Sequence, residues 1–465
     1  MQDSSQKSKL ANTPHPLYAG VAREDITPEL GTLLMGYADP HKKRRATSVR
    51  DPLNATAIAL QGEQGDDGDT GKAILMVLDV CIIQDNHVFA IRQGIETRTG
   101  IPANCITIAT IQTHSAPCTL NAFGWHVVDE AYVNDIMIPK AIEAAVKAAA
   151  ELVPVRVGFG QTQSAAGVNR RGIHPTTHEV GLSQSAWGIY DPNMTVLRLE
   201  GPSGTLANIV HYGAHPTVFG GSSTVISRDW PGIMIDRVEQ LTKAPTLFFN
   251  GAVGDIAPRT NSMRATGDET EAALWEAGAA AAMDAMRAWR SIKELRDVPL
   301  SIHSDTFELP YRQLTSLEQA KADLAKWEDQ KDSPGKPMAE YKHAKAVVEA
   351  HQQPIKTSKS YTQVITAIGP AAFVPMPGEV FGETVLRLRD HSPYQHTLSL
   401  STACGNNAYL FTRESIHRGG YEVWVNRILG AYLLADGIDD VLVQENLTLL
   451  NHLHAKNHLP LSEVK

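Results

Sequence analysis

His215 and Asp229 bracket a glycine-rich turn, HYGAHPTVFGGSSTVISRDWPG over 211–232, and both are side-chain types that bind metals or move protons. Before the turn, Leu206, Ile209 and Val210 read as a strand; after it, Trp230, Pro231 and Gly232 open a helix through Met234, Ile235 and Val238. The carboxyl end of a strand is where α/β proteins gather ligands. The plainer alternative makes His215 a core histidine bonded to backbone and Asp229 the helix N-cap. A second place of the same kind is IQTHSAP, 111–117, which follows a strand at Cys105–Thr110 and carries His114. Two histidines at two strand ends make a better metal candidate than either alone. After a strand at Thr246–Phe249, NGAVGDIAPR (250–259) is rich in small residues, which either let backbone N–H groups approach a bound group or only shape a turn. Glu379 follows the Pro377–Gly378 turn and heads a predicted helix through Leu386 and Leu388. A carboxylate there stabilises the helix dipole by about 0.3 to 1 kcal/mol, or serves as an anionic ligand. Finally, CGNNAYLFTRESIHRGGYEVW (404–424) presents Tyr409, Arg413, Tyr421 and Glu422 in a glycine-rich loop, with Trp424 as an anchor.

The elements that must position these residues alternate. Strands are expected from Tyr18, over 51–61 and over 72–80, the last two joined by an exposed loop, GEQGDDGDTG. A helix over Asn86–Thr99 precedes the Cys105–Thr110 strand, and Ile138, Ile142, Ala145, Val146, Ala149 and Leu152 mark an amphipathic helix after it. This alternation predicts an α/β fold, a mixed sheet core with flanking helices. An alanine-rich helix is expected over 265–289. Two charged helical runs split by DSPGKP predict a helical hairpin, inserted at about 312–354 and projecting from the body. The organisation expected is a disordered segment at 1–17 and one domain over 18–465.

With 465 residues, 43% of them hydrophobic and 20% charged, the chain has the composition of a globular protein with a large core. A net charge of −9 argues against nucleic acid or an anionic membrane surface as a partner; the basic run HKKRR (41–45) reads as a solvated loop. Cys81, Cys105, Cys118 and Cys404 form no CxxC pair, which suggests free thiols in a reducing compartment. The polar first residues and the lack of a long apolar run lead to an expectation of a cytoplasmic protein without membrane insertion, acting on a small molecule, with a homo-oligomer as an open option.

Taken in order, THSAP, AHPT, NGAVGDIAPR, MPGE and GGYE resemble the neutral/alkaline non-lysosomal ceramidase family over most of residues 18–430. The resemblance implies a zinc-dependent amidase in which the metal activates water against an amide carbonyl. It implies His215, Glu379 and Tyr421 as zinc ligands, His114 assisting at the reacting carbonyl, and Arg170, in NRR, contacting substrate. Gln112 stands where the family has a further histidine ligand, and a neutral amide oxygen is a poor zinc donor beside imidazole. Ala257 stands where the family has a serine, so no serine nucleophile acts from that position. About 35 residues follow the tyrosine loop, too few for the family's C-terminal immunoglobulin-like domain, which points away from ceramide as the substrate. Asp229 and Asp255 are candidate bases or partners for the second nitrogen of a histidine ligand.

The leading expectation is therefore a metal-dependent, ceramidase-like hydrolase of a small or medium amide, ester or lactone. A metal-free His/Asp acid–base enzyme, an isomerase or lyase, is the first alternative. An inactive relative that binds a ligand is the second.

Overall fold

The computed structural model describes residues 17–37, 44–63, 71–121, 127–260 and 268–456. The expected N-terminal disorder concerns residues 1–16, outside that set, while Leu17 already opens a strand; residues 41–43 of the basic run and 64–70 of the acidic loop also lie outside it.

Near-continuous apolar runs make most strands buried on both faces. In the larger sheet, β1 (Leu17–Asp25), β2 (Asn54–Gln61) and β3 (Lys72–Leu78) pair antiparallel, and α1 (Asp85–Thr99) carries the chain to β4 (Ile106–Thr110), parallel to β3. After α2 (Ile138–Ala150), β5 (Val153–Gln163) pairs with β1 and with β6 (Asn193–Gly201), which pairs in turn with β7 (Gly204–Tyr212). Helix α3 (Asp229–Thr242) then leads to β8 (Thr246–Asn250), parallel to β7, giving the order β8-β7-β6-β5-β1-β2-β3-β4. Helix α4 (Asp268–Ser291) precedes a second sheet. There β9 (Leu300–Pro310) and β10 (Ser358–Ile368) form a long antiparallel pair linked through α5 (Leu317–Trp327) and α6 (Lys336–Ala350). β11 (Ala371–Pro375) follows, and α7 (Gly382–His391) crosses to β12 (His396–Leu400), parallel to β11. The last helix is α8 (Ile438–Lys456).

Alternation along the strands sets the layers. One face of the eight-stranded sheet carries glycines under its helices: a Cβ on Gly20 would lie 2.1 Å from the Ala148 carbonyl oxygen of α2, and one on Gly160 1.9 Å from that of Ala288 in α4. The opposite face packs on the second sheet, with Phe249 edge-on to Phe373 at 5.7 Å and Leu75, Val155 and Ile209 in one cluster with Ile368, Leu398 and Leu400. The outer face of the second sheet buries Ile365, Ala367 and Val374 against Leu388 of α7 and Leu442 and Leu450 of α8. The result is four layers, helix–sheet–sheet–helix, which meets the expectation of a mixed sheet with flanking helices and adds a second sheet that the sequence reading had not separated.

Within the two main sheets each of the three parallel pairs encloses one helix, and their carboxyl ends meet. The amide of Asn250, at the end of β8, donates to the carbonyls of Ile111 (2.9 Å) and Ala214 (3.1 Å), joining the turns after β4 and β7. His211 Nε2 meets the Ser399 carbonyl at 2.8 Å, and the Thr110 and Thr402 hydroxyls meet at 2.8 Å, so the second sheet is tied in at the same end.

The helical hairpin forms as expected but does not project freely. Met338 and Ala339 of α6 belong to the core under the second sheet, Glu340 pairs with Arg427, and His343 Nδ1 meets the Gly430 carbonyl at 2.8 Å. Its packing props the segment that follows Tyr421.

Candidate active site

His215 is held by its own backbone partner. Both its amide N–H and its ring Nδ1 lie 3.0 Å from the carbonyl oxygen of Ile256, while its carbonyl accepts from the Trp230 indole at 3.0 Å. The ring is fully buried, and its Nε2 faces Glu379 Oε2 at 3.0 Å. Glu379 is not at a helix N-terminus: it sits in a two-residue parallel bridge with Tyr409, its N–H bonded to the Ala408 carbonyl, and α7 begins only at Gly382. The dipole reading therefore falls away, and the carboxylate is fixed by strand pairing instead.

A carbonyl oxygen only accepts, so the bond to Ile256 places the imidazole proton on Nδ1. Burial, and then the positive Arg170, push the His215 pKa down, keeping the ring neutral. Burial raises Glu379, but hydrogen bonds from His215 and Tyr409 and the charges of His215 and Arg170 outweigh it and bring it below its ordinary value. With Nδ1–H already given to Ile256, His215 can donate to Glu379 only when Nε2 carries a second proton. A neutral imidazole lone pair and a carboxylate oxygen thus point at one another in a dry site. Two acceptors at that distance repel unless a cation or a shared proton lies between them.

This donor set fits a divalent ion of the zinc type, which takes imidazole nitrogen and carboxylate oxygen at about 2.0 to 2.2 Å. Among the described residues, no third His, Cys, Asp or Glu joins the pair. Tyr421 stands near enough for the Glu379 charge to act on its phenol, whose pKa rises to about 12, chiefly by burial. Its ring packs edge-on to Tyr409 (6.1 Å) and Trp424 (5.2 Å). Gln112 is fully buried at the end of β4, with φ of 68° and neither amide atom hydrogen-bonded among the described residues. Asp229, the first residue of α3, and Thr402, Cys404 and Ala408 share this left-handed backbone, so five of the seven such non-glycine residues described lie in the turns and helix start at this end. Strain of about 1–3 kcal/mol at each is the kind that persists where surrounding structure enforces it.

The other expected residues are placed as follows. The His114 ring stands 5.7 Å from that of His215, edge-on, and 4.9 Å from that of Tyr37, with Gly36 packed against it. Arg170 commits Nε to Glu422 (3.0 Å) and Nη2 to the Gly254 carbonyl (2.9 Å) and the Tyr409 hydroxyl (3.1 Å). Asp229 is not the partner of His215: its carboxylate accepts from the backbone N–H groups of Val218, Phe219 and Trp230, clamping the turn, and Ile256 takes the second histidine nitrogen. Nor does it cap from the expected position, because it is the first residue of α3. Asp255 accepts from Gly382 N–H (2.9 Å) and Asn169 Nδ2 (3.0 Å), not from His215. Ala257 lies in a short strand paired with Val168. The sequence reading missed Tyr37 and the bridging amide of Asn250; an asparagine–glycine step directly after an apolar strand was the available signal.

Burial, and less strongly Glu422, raise the Asp255 carboxyl to about 7, although the bond from Gly382 opposes the shift; Arg170 faces it as the nearby cation. A folded value above the ordinary 3.8 means stabilisation fully present below about 3.8 and lost as pH rises through about 7. Asp255→Asn is therefore expected to flatten the fall in denaturation midpoint between pH 5 and pH 8. An unchanged slope would remove Asp255 as its source.

Two large clefts open on the described surface. One of about 840 Å³ lies between α3 and α4 and shares no residue with the His215–Glu379 cluster. The other, of about 820 Å³, is lined by Asn169, Arg171, Asp255 and Phe381, beside the cluster.

No family model and no curated protein matches the chain. Solved structures do: the crystal structure of neutral ceramidase from Pseudomonas aeruginosa superposes with a TM-score of 0.72 at 16% identity, covering 96% of this chain and 76% of that one. A ceramidase complexed with C2 gives 0.70 at 16% identity, over 97% and 77% of the two chains. At that identity the likeness is one of architecture, and this chain has a ceramidase-like α/β fold.

Proposed function

We propose that this protein is a hydrolase of a non-peptide amide, ester or lactone, assisted by a divalent ion held by His215, Glu379 and Tyr421. The observation that carries the reading is the contact of His215 Nε2 with Glu379 Oε2 at 3.0 Å between two buried side chains. When bound, zinc supplies a Lewis acid and a water acidified to a pKa of about 7. The chain's own residues do the rest. Ile256 fixes the tautomer and angle of His215, contacts with His215, Arg170 and Tyr409 bring the Glu379 pKa below its ordinary value, and His114 stands beside His215 to exchange a proton with the reacting carbonyl or its leaving group.

The likeness to ceramidase structures supports this reading at the level of fold, and ceramide itself is not the proposed substrate. A metal-free acid–base reaction is the second reading, favoured by the absence of a third His, Cys, Asp or Glu beside the pair among the described residues. Elemental analysis of gently purified protein separates the two. About one equivalent of zinc, manganese or iron is expected, together with turnover of some member of an amide, ester and lactone panel. Less than about half an equivalent counts against the hydrolase.

A further inference from the structure

His114 stands between two rings, edge-on to Tyr37 at 4.9 Å and to His215 at 5.7 Å. Its backbone is tied on both sides, the N–H to the Pro216 carbonyl at 3.4 Å and the carbonyl to Arg44 Nη2 at 3.0 Å. Gly36, at φ 109°, lies so close that a Cβ there would come within 2.4 Å of the imidazole Cγ, so no larger residue fits against the ring. Tyr37 is itself anchored at its far end. The phenol O–H donates to the Phe219 carbonyl at 2.5 Å, with the Thr217 carbonyl at 3.4 Å, and the Arg44 guanidinium lies 4.9 Å from its ring centre. The turn that supplies those carbonyls is the one Asp229 clamps through the N–H groups of Val218 and Phe219. A phenol has one proton to give and a carbonyl oxygen only accepts, so the Tyr37 proton is committed to the turn. Burial, and then the Asp229 charge, push the Tyr37 phenol well above its ordinary value, which keeps that proton in place. With no proton to lend and no charge to offer, what Tyr37 supplies to the site is geometry.

We infer that Tyr37 is a positioning residue: its ring, anchored on the 217–219 turn, holds the His114 imidazole beside His215 at the angle from which it exchanges a proton with substrate. The holding follows from the contacts alone; the proton exchange rests on the proposed hydrolase. Asp229 belongs to the same chain of contacts, because the carbonyls that receive the phenol lie on the turn it clamps. An imidazole released from Tyr37 is free to turn about its χ bonds, and misplacing a reacting group by about 1 Å costs about a hundredfold in rate. Residues that act through one contact are coupled, so the effect of Tyr37 must vanish once His114 is gone.

The test combines kinetics and spectroscopy on the full chain. Tyr37→Leu removes both ring and anchor, whereas Tyr37→Phe keeps the ring and gives up the bond to Phe219; each is made alone and together with His114→Ala. On the responsive substrate of the amide, ester and lactone panel, Tyr37→Leu is expected to lower kcat about tenfold to a hundredfold with KM within about twofold, and Tyr37→Phe to recover part of that loss. In the His114→Ala background, Tyr37→Leu is expected to cost less than about twofold more, since no ring is left to position. Nuclear magnetic resonance of protein carrying isotope-labelled histidine gives a readout without turnover. The His114 ring signal, identified by its loss in His114→Ala, is expected to be single and sharp in the parent protein and split or broadened in Tyr37→Leu. The inference is overturned if that signal stays single and sharp in Tyr37→Leu. It is equally overturned if Tyr37→Leu costs the same with and without His114, which is a structural role, or if KM rises alone, which puts Tyr37 on the substrate. If circular dichroism shows Tyr37→Leu unfolded, the same criteria apply to Tyr37→Phe, with an expected loss in kcat of about threefold to tenfold. Should no panel member turn over, the hydrolase reading falls, and the His114 signal alone decides whether Tyr37 places the ring.

Discussion

Glu379→Gln is expected to abolish turnover, lowering kcat/KM by about a thousandfold or more, and at the same time to stabilise the metal-free protein. The two effects have one cause. Glu379 Oε2 faces the Nε2 lone pair of a neutral His215 whose proton is committed to Ile256. A glutamine of the same shape turns an amide N–H toward that lone pair, replacing a repulsive contact with a hydrogen bond worth about 1 kcal/mol. It also removes the charge that a divalent ion needs. A chelator should therefore lower the thermal midpoint of the parent protein and leave that of the variant where it was. Differential scanning calorimetry with and without chelator, beside activity on the responsive panel substrate, checks both halves. Full activity in the variant would take Glu379 out of the site.

The second large effect concerns Glu422, which holds the tyrosine loop to the body. Its side chain is 1% exposed and pairs with Arg170 Nε at 3.0 Å and Arg171 Nη1 at 2.6 Å, the two arginines being 11% and 9% exposed. Glu422→Ala leaves two guanidinium groups near the interior with one anion fewer. Breaking a buried ion pair by removing one partner costs about 3–5 kcal/mol. Arg170 retains the Gly254 carbonyl and Tyr409, and Arg171 the carbonyl of Gly419, so the lower half of that range is expected. The denaturant midpoint should fall accordingly, and Arg171→Met in the same background should recover part of the loss because one stranded charge goes with it. A loss below about 1 kcal/mol would show the triad to be ordinary surface electrostatics. Since Tyr421 precedes Glu422 directly, the variant should also lose activity beyond what its folded fraction explains.

The features that local sequence could reveal are those set by local rules. Apolar runs and the 138–152 periodicity placed the strands and helices of the first half, and small-residue turns after Thr110, Tyr212 and Asn250 marked the strand ends at which His114 and His215 stand. The features it could not reveal depend on pairing at a distance. Glu379 meets His215 across 164 positions, through a bridge only two residues long, and nothing around MPGE distinguishes that bridge from the first turn of a helix. Asp229 and Asp255 have the right chemistry for a histidine partner, but backbone N–H groups and Asn169 claim their oxygens. Likewise the hairpin's charges suggested a solvated projection, whereas Glu340 and His343 are spent on Arg427 and Gly430. The second sheet escaped notice because its long β9–β10 pair is split in sequence by that hairpin.

The pairing of an unprotonated imidazole nitrogen with a carboxylate oxygen is the point on which the functional account turns. Crystals equilibrated with zinc and measured on both sides of the zinc absorption edge test it most directly. The account predicts one anomalous peak within about 2.0 to 2.2 Å of both His215 Nε2 and Glu379 Oε2. A peak elsewhere, or a direct hydrogen bond between those two atoms with no anomalous signal, would contradict it.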